Sequence, residues 1–187
     1  MLAVAVAALG YSLYTHVERF FFQRYEARAL DRILDDHRAV DLPLPATLET
    51  PRRPRPAPGA LLGRIEIPRL GLSAIVRNGS DARTLGLAVG HIPGTAIPGD
   101  PGNVGFAGHR DTFFRGLGGV QPGDEIRVTT VDGVYRYRVE QTGLVDPDDV
   151  WVLDATDRPA LTLVTCYPFN YIGHAPRRFI VRAFLRP

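Results

Sequence analysis

Lysine is absent from this chain: all 22 basic residues among its 187 are arginines. This absence excludes Schiff-base catalysis, a Ser-Lys dyad and a phosphate-binding P-loop lysine. Cysteine is also scarce, and the single Cys166 excludes an internal disulfide and a multi-cysteine zinc site. The arginines outnumber the 20 acidic residues by only two, so the charge gives no reason to expect a nucleic-acid partner.

The N-terminal residues 1–17 carry no formal charge when His16 is neutral, and residues 2–9 are only Ala, Val and Leu. A helix over residues 1–17 would be about 25 Å long, slightly short of a bilayer. Aromatic residues at 20–22 and 25 follow, as is common at a membrane interface. We therefore expect a single-pass membrane anchor over residues 1–17. A cleaved signal peptide and an apolar helix packed on the protein are the alternatives.

Two segments separate the expected anchor from the rest of the chain. Apolar residues recur at helical spacing between charged ones over residues 18–39, which predicts an amphipathic stalk helix. Residues 40–59 contain six prolines and three arginines, a composition typical of an extended linker. Residues 60–187 then remain as the expected folded domain.

From residue 60 onward the sequence predicts short strands joined by turns. Asn78-Gly79 marks one turn, and Asp132-Gly133 marks the turn of a hairpin. Little helix is expected, so six or seven strands within about 125 residues favour a closed β-barrel over a sandwich or an α/β sheet. The expected strands cover residues 62–67, 70–76, 103–109, 125–131, 134–142, 161–166 and 178–185.

Several polar residues have structural explanations. Asp81 is expected to cap a short helix that ends near Gly86, and Asp111 to cap another at residues 112–115, which argues against a catalytic role for Asp111. His91 and His174 lie among Pro and Gly in expected loops, where a solvated or locally hydrogen-bonded histidine is usual.

Three kinds of side chain that can act together stand at strand ends. Cys166 ends one expected strand, His109 ends another that contains glycines, and Arg177 and Arg178 open the last. Singly, a free cysteine is more often a small buried hydrophobe, and an arginine pair is more often a solvated edge. Together, a thiol nucleophile, a histidine base and an arginine that stabilises an oxyanion supply the parts of a metal-free acyl transfer.

Strand alternation distinguishes the two arginines. Arg177 shares its face with an unbroken apolar series at 179, 181, 183 and 185, which predicts the barrel interior. Arg178 lies on the mixed face, which we expect to be outside. By the same alternation, Cys166 lies on the face opposite Leu161 and Leu163, so its thiol need not point into the core.

These residues resemble the sortases, cysteine transpeptidases of bacterial cell surfaces, and the class D group in particular. The resemblance covers residues 61–185. It implies an eight-stranded β-barrel with short helices, in which His109 is the catalytic histidine, Cys166 the nucleophile and Arg178 the arginine that stabilises the substrate carbonyl and oxyanion. Thr165 would shape the groove for the substrate. The motifs that carry the resemblance are Ala107-Gly-His-Arg-Asp111, Leu161-Thr-Leu-Val-Thr-Cys166 and Arg178-Phe-Ile-Val-Arg-Ala183.

The resemblance also implies a reaction, partners and a location. An LPxTG-like sorting signal, at the C-terminus of a surface protein or pilin, would be cleaved through a cysteine thioester and joined to an amine of a cell-wall precursor or pilin. The enzyme would be anchored in the bacterial plasma membrane with its catalytic domain outside. No cofactor is expected, and no metal, because no acidic cluster matches the calcium site of the calcium-dependent members. A cysteine peptidase that hydrolyses the same signal and an inactive peptide-binding barrel are the alternatives.

Overall fold

The computed structural model describes residues 1–39, 55–171 and 173–186, so most of the linker expected over residues 40–59 lies outside the described residues. Within them the chain forms eight strands and two α-helices, with three short 3-10 helices. The strands are β1 (Leu61–Ile67), β2 (Leu72–Asn78), β3 (Val89–His91), β4 (Asn103–Ala107), β5 (Glu125–Thr130), β6 (Gly133–Val145), β7 (Ala160–Tyr167) and β8 (Arg177–Leu185). The helices are α1 (Leu2–Ala39), α2 (Ala82–Leu87), η1 (Pro68–Leu70), η2 (Arg115–Gly119) and η3 (Val150–Leu153).

The strands close into one barrel in the order β1-β2-β3-β4-β7-β8-β6-β5, and β5 pairs with β1 to complete it. Neighbouring strands are antiparallel except for the parallel pairs β2–β3 and β4–β7. The predicted all-β barrel is therefore confirmed, including the eight strands that the resemblance implied. Strand β3 was not predicted, because three residues are too few to show an alternation.

Alternate residues of each strand face the barrel interior and form one core. Leu161 and Leu163 on β7 and Val181 and Ala183 on β8 are fully buried there. Where β1 crosses β5, Gly63 lies against the partner backbone: a Cβ at this position would be 2.0 Å from a backbone oxygen of β5. A residue without a side chain is therefore required for the barrel to close at this point.

The aspartate predicted to cap α2 does so. The carboxylate of Asp81 accepts hydrogen bonds from two backbone N–H groups of the first turn, each at 3.0 Å. The prediction for Asp111 is wrong: η2 begins only at Arg115, with Phe114 at the cap position and no side-chain cap. Phe114 is fully buried in the core, so burial of an aromatic ring, rather than a polar cap, sets the course of the chain after His109.

Helix α1 runs without interruption through the segments expected as anchor and stalk. Its second half packs on the outside of the barrel, where fully buried Leu30 meets Ile75 of β2 and Ala88. The Gln23 amide extends this contact, accepting from the Ile75 N–H at 2.9 Å and donating to the Leu87 carbonyl at 2.7 Å. The helix expected over residues 18–39 is thus present, but it lies along the barrel.

The first half of α1 presents large apolar side chains to solvent. Val4, Leu9 and Leu13 are each about two thirds exposed or more. Across the residues that the structure describes, no helix combines the length and the apolar character needed to cross a membrane.

Candidate active site

Cys166 and Arg178 face each other across two neighbouring strands. Cys166 is the penultimate residue of β7, and the antiparallel register pairs it directly with Arg178 on β8. Residues opposite each other in such a pair lie on the same face of the sheet, with Cβ atoms about 4.5–5.5 Å apart. The interior face of β7 carries Leu161 and Leu163, so Cys166 and Arg178 are on the outer face, where the thiol is half-buried. This is the side that the alternation predicts for both residues.

His109 lies two residues beyond the end of β4, the strand that pairs with β7. The parallel register pairs Ala107 with Val164, and the Gly108 N–H continues the ladder by donating to the Val164 carbonyl at 3.2 Å. Because β4 and β7 run parallel, His109 and Cys166 both lie at the same edge of the barrel, where the two strands end. The imidazole is exposed to solvent, so it is open to a substrate. The structure thus brings together, on one rim of the barrel, the three residues that the sequence placed at separate strand ends.

Two buried contacts fix the backbone that leads into His109. A Cβ on Gly108 would lie 2.8 Å from the Phe114 ring, so glycine allows that ring to pack directly beneath the histidine segment. The Thr165 hydroxyl donates to the Gly108 carbonyl at 2.7 Å and is 2% exposed. Thr165 faces the interior, so its side chain supports the backbone that precedes His109.

The two arginines have different surroundings. Arg177 is exposed at the rim, where its guanidinium donates to the Leu144 carbonyl at 2.9 Å and lies 3.4 Å from the Asp146 carboxylate. By strand alternation Arg177 would face the interior. It is the first residue of β8, before the residues of that strand that form the core, and its side chain turns outward. Arg178 is half-buried and donates from Nη1 to the Ala175 carbonyl at 3.3 Å. Of the two, Arg178 is the one paired with the cysteine.

A shallow apolar groove lies on the outer face of the barrel between β6, β8 and η3. Its volume is about 200 Å³, and Ile180 forms its floor two residues beyond Arg178. Trp151 of η3, 60% exposed, borders it, and the Arg182 guanidinium donates to the Val152 carbonyl at 2.7 Å. Burial lowers the pKa of Arg182. This groove was not predicted from the sequence, although the chain's single tryptophan in an acidic segment was an available signal.

A larger cavity, of about 610 Å³, lies elsewhere. It is lined by Asn103, the first residue of β4, and by His91, whereas His109 follows the last residue of that strand. The five residues of β4 span about 13 Å, so the cavity and His109 lie at opposite ends of this strand. His91 is 3% exposed and ends β3, so its expected position in a loop is wrong. In residues 1–39, 55–171 and 173–186, no cluster of three or more His, Cys, Asp or Glu side chains could hold a metal ion.

A closed barrel with a thiol, an imidazole and a guanidinium on one rim defines a class of proteins that perform acyl transfer through a cysteine. The sortase domain family matches residues 65–186, and the chain belongs to the sortase family, whose members are cysteine transpeptidases associated with bacterial cell surfaces. Sortase D of Bacillus subtilis (strain 168) is 36% identical over 128 residues, which make up 68% of this chain and 65% of that relative. The similarity to class D sortases is thereby confirmed.

Solved sortase structures share the fold. A sortase D5 transpeptidase from Clostridium perfringens superposes with a TM-score of 0.71 at 24% identity, covering 89% of this chain and 99% of that one. Sortase C1 from Streptococcus agalactiae superposes with a TM-score of 0.62 at 30% identity, covering 67% of each chain. The eight-stranded barrel is therefore the sortase fold.

Proposed function

We propose that this chain is a transpeptidase that cleaves an LPxTG-like sorting signal through a thioester on Cys166 and transfers the acyl group to an amine. The observation that carries the proposal is the direct pairing of Cys166 with Arg178 on the outer face of the barrel, at the edge where β4 ends two residues before His109. A thiol buried in the core would contribute only to packing. A thiol on an open face between an imidazole and a guanidinium is placed for acyl transfer.

The first half of the reaction forms the thioester. A free thiol is only a few per cent ionised at pH 7, so His109 accepts the proton of Cys166. The sulfur attacks the carbonyl carbon of the scissile peptide bond, and the carbonyl electron pair moves to its oxygen, which accepts hydrogen bonds from Arg178. When the tetrahedral intermediate collapses, the C–N bond breaks and protonated His109 gives its proton to the leaving amine.

The second half resolves the thioester. An acceptor amine attacks the acyl carbon while His109 takes its proton, a new C–N bond forms, and the sulfur leaves as a thiolate. The chain contains no lysine, so no side chain of the enzyme can be the acceptor. The acceptor is then either an N-terminal amine or an amine of another molecule, and we propose that it is part of a cell-wall precursor or a pilin.

The apolar residues of a sorting signal have a matching surface beside the site. The groove over Ile180 begins one residue pair from Arg178 on the same face of β8, because Val145 pairs with Arg178 and Gly143 with Ile180. A peptide laid along it would bring one carbonyl to the thiol while its apolar side chains contact the groove and Trp151. Binding in an apolar groove with few polar groups suits a short apolar motif.

Membrane attachment through α1 is also part of the proposal. Its support is the apolar surface on the first half of the helix, including Val4 at 72% and Leu9 at 71% exposure. An apolar surface of this kind marks a site of interaction. Flotation of the full chain with phospholipid vesicles tests it, with a chain starting at Ala57 as the control. If the full chain remains in the soluble fraction, attachment through α1 is wrong and the proposed chemistry is unaffected.

The reaction is tested by intact mass spectrometry of the protein after incubation with a small library of LPxTG-like peptides. We expect an acyl adduct on the native chain and none on the Cys166→Ala variant, which removes only the sulfur at a strand end. Adding an amine should convert the adduct into an amide product. Release of free acid alone would identify a hydrolase, and binding without any adduct would identify an inactive barrel. Transfer by Cys166→Ala would contradict the mechanism.

A further inference from the structure

Arg110, the residue after His109, contacts the segment that joins β7 to β8. Its Nη2 group donates to the Tyr171 carbonyl at 2.7 Å and to the Gly173 carbonyl at 2.9 Å. The guanidinium carbon also lies 5.8 Å from the centre of the Tyr171 ring, within cation–π range. One side chain thus ties the end of β4 to the middle of the β7–β8 segment.

The same segment contacts Arg178 at its other end. The Ala175 carbonyl accepts from Arg178 Nη1 at 3.3 Å, and the Arg177 carbonyl accepts from it at 3.2 Å. Both bonds use Nη1, the first to the segment and the second to the preceding residue of β8, so the direction of the guanidinium depends in part on where the segment lies. Because Arg110 holds the segment at Tyr171 and Gly173, its contacts and those of Arg178 form one continuous chain from His109 to Arg178.

We infer that Arg110 is a positioning residue for the reaction. It fixes the β7–β8 segment to the residues that follow β4, next to His109, and through that segment it orients Arg178 toward Cys166. The inference rests on the proposed function. It explains why an arginine, rather than a small polar residue, follows His109, since one guanidinium can bridge two carbonyls and stack on an aromatic ring at the same time. A lysine at this position would keep the charge but lose the planar geometry.

The inference predicts that Arg110 acts only through Arg178. Misplacing a catalytic group by about 1 Å can slow a reaction by about 100-fold, so we expect Arg110→Ala to lower kcat/KM for thioester formation by about 10- to 100-fold. The loss should be mainly in kcat, and Arg110→Lys should recover part of it. In an Arg178→Ala background, Arg110→Ala should lower kcat/KM by less than about twofold, because residues that act as one unit are not additive. Arg115→Ala, which removes an exposed arginine of η2, is the matched control.

The experiment measures thioester formation by mass spectrometry for the two single variants and the double variant, with alkylation of Cys166 by iodoacetamide and the melting temperature as controls. Equal losses in the native and the Arg178→Ala backgrounds, or no loss when Arg110→Ala is made alone, would overturn the role of Arg110. If Arg110→Ala does not fold, the same cycle is run with Arg110→Lys and Arg110→Gln. Absence of a thioester on the native chain would instead overturn the proposed function itself.

Discussion

Replacing Arg178 with alanine should be far more damaging than replacing its neighbour Arg177. Arg178 is opposite Cys166 and is the arginine able to donate to an oxyanion formed there. Removing one preorganised oxyanion donor typically costs about 10²–10³ in rate, or about 2.7–4 kcal/mol of transition-state stabilisation. We expect Arg178→Ala to lose this much in kcat/KM on a sorting-signal peptide.

The Arg177 side chain is 44% exposed, and its partner Asp146 is 73% exposed. An ion pair this exposed contributes at most about 1 kcal/mol, because water screens both charges. Even if this whole amount affected the rate, Arg177→Ala would lose less than about tenfold in kcat/KM. The expected loss of kcat/KM is therefore at least tenfold larger for Arg178→Ala than for Arg177→Ala.

The assay is steady-state cleavage and transfer with a fluorogenic sorting-signal peptide and an added amine, on variants with unchanged melting temperature. Arg178→Lys serves as the matched substitution. We expect it to restore only part of the activity, because an ammonium cannot donate through a planar fork. If Arg177→Ala proves the more damaging change, the register of β8 against β7, or the role given to Arg178, is off by one residue.

Three further predictions concern stability and the support of the site. Gly108→Ala should displace the Phe114 ring, and we expect a larger relative effect on kcat, measured by steady-state kinetics, than on the melting temperature, measured by circular dichroism. An unchanged kcat would contradict the role given to the contact between Gly108 and Phe114. Hydrogen bonds from Arg69 lower the pKa of Asp124, so stability should be lost as the pH falls below the ordinary value of about 4, and pH-dependent unfolding of Asp124→Asn should lack this loss. A chain starting at Ala57 should fold and keep its peptide activity at a lower melting temperature, and failure to fold would make α1 part of the domain.

Local signals in the sequence were sufficient wherever a short segment determines its own structure. The cap at Asp81 follows from residues one turn away, and the faces of β7 and β8 follow from strict alternation. The Asp111 prediction failed because the same kind of local rule competes there with burial of Phe114 under Gly108. A capping motif contributes about 1 kcal/mol, whereas burial of a Phe side chain contributes about 1.5–3 kcal/mol.

The proximity of the three site residues depends on pairings between distant strands. Spacing along the chain places Cys166 twelve residues before Arg178 but says nothing of the register that sets them opposite each other. His109 is brought in by a parallel pair, which no turn specifies. The resemblance supplied this arrangement before the register was known. The contact between Arg110 and the β7–β8 segment was not predicted because the acceptors are backbone carbonyls, which leave no mark on the sequence.

The packing of α1 was missed for a similar reason. The charged residues between its apolar ones are compatible with a stalk in water and with a helix lying on a protein. What decides the matter is the partner surface, where Ile75 and Ala88 on the barrel are covered by Leu30. Neither of those two residues could be recognised as outward-facing before the strands were in place.

The parallel pairing of β4 with β7 has a consequence for how the protein acquires its activity as it folds. Strands β7 and β8 are separated by a short segment, so their antiparallel pairing closes a small loop and is kinetically accessible. The pairing of Asn103 with Ala160 closes a loop of more than fifty residues, and contacts of such high contact order form slowly. In a folding chain, Cys166 and Arg178 would therefore be paired before His109 is positioned near them. Reactivity toward peptides should appear late in refolding, after the hairpin of β7 and β8 is already protected from hydrogen exchange.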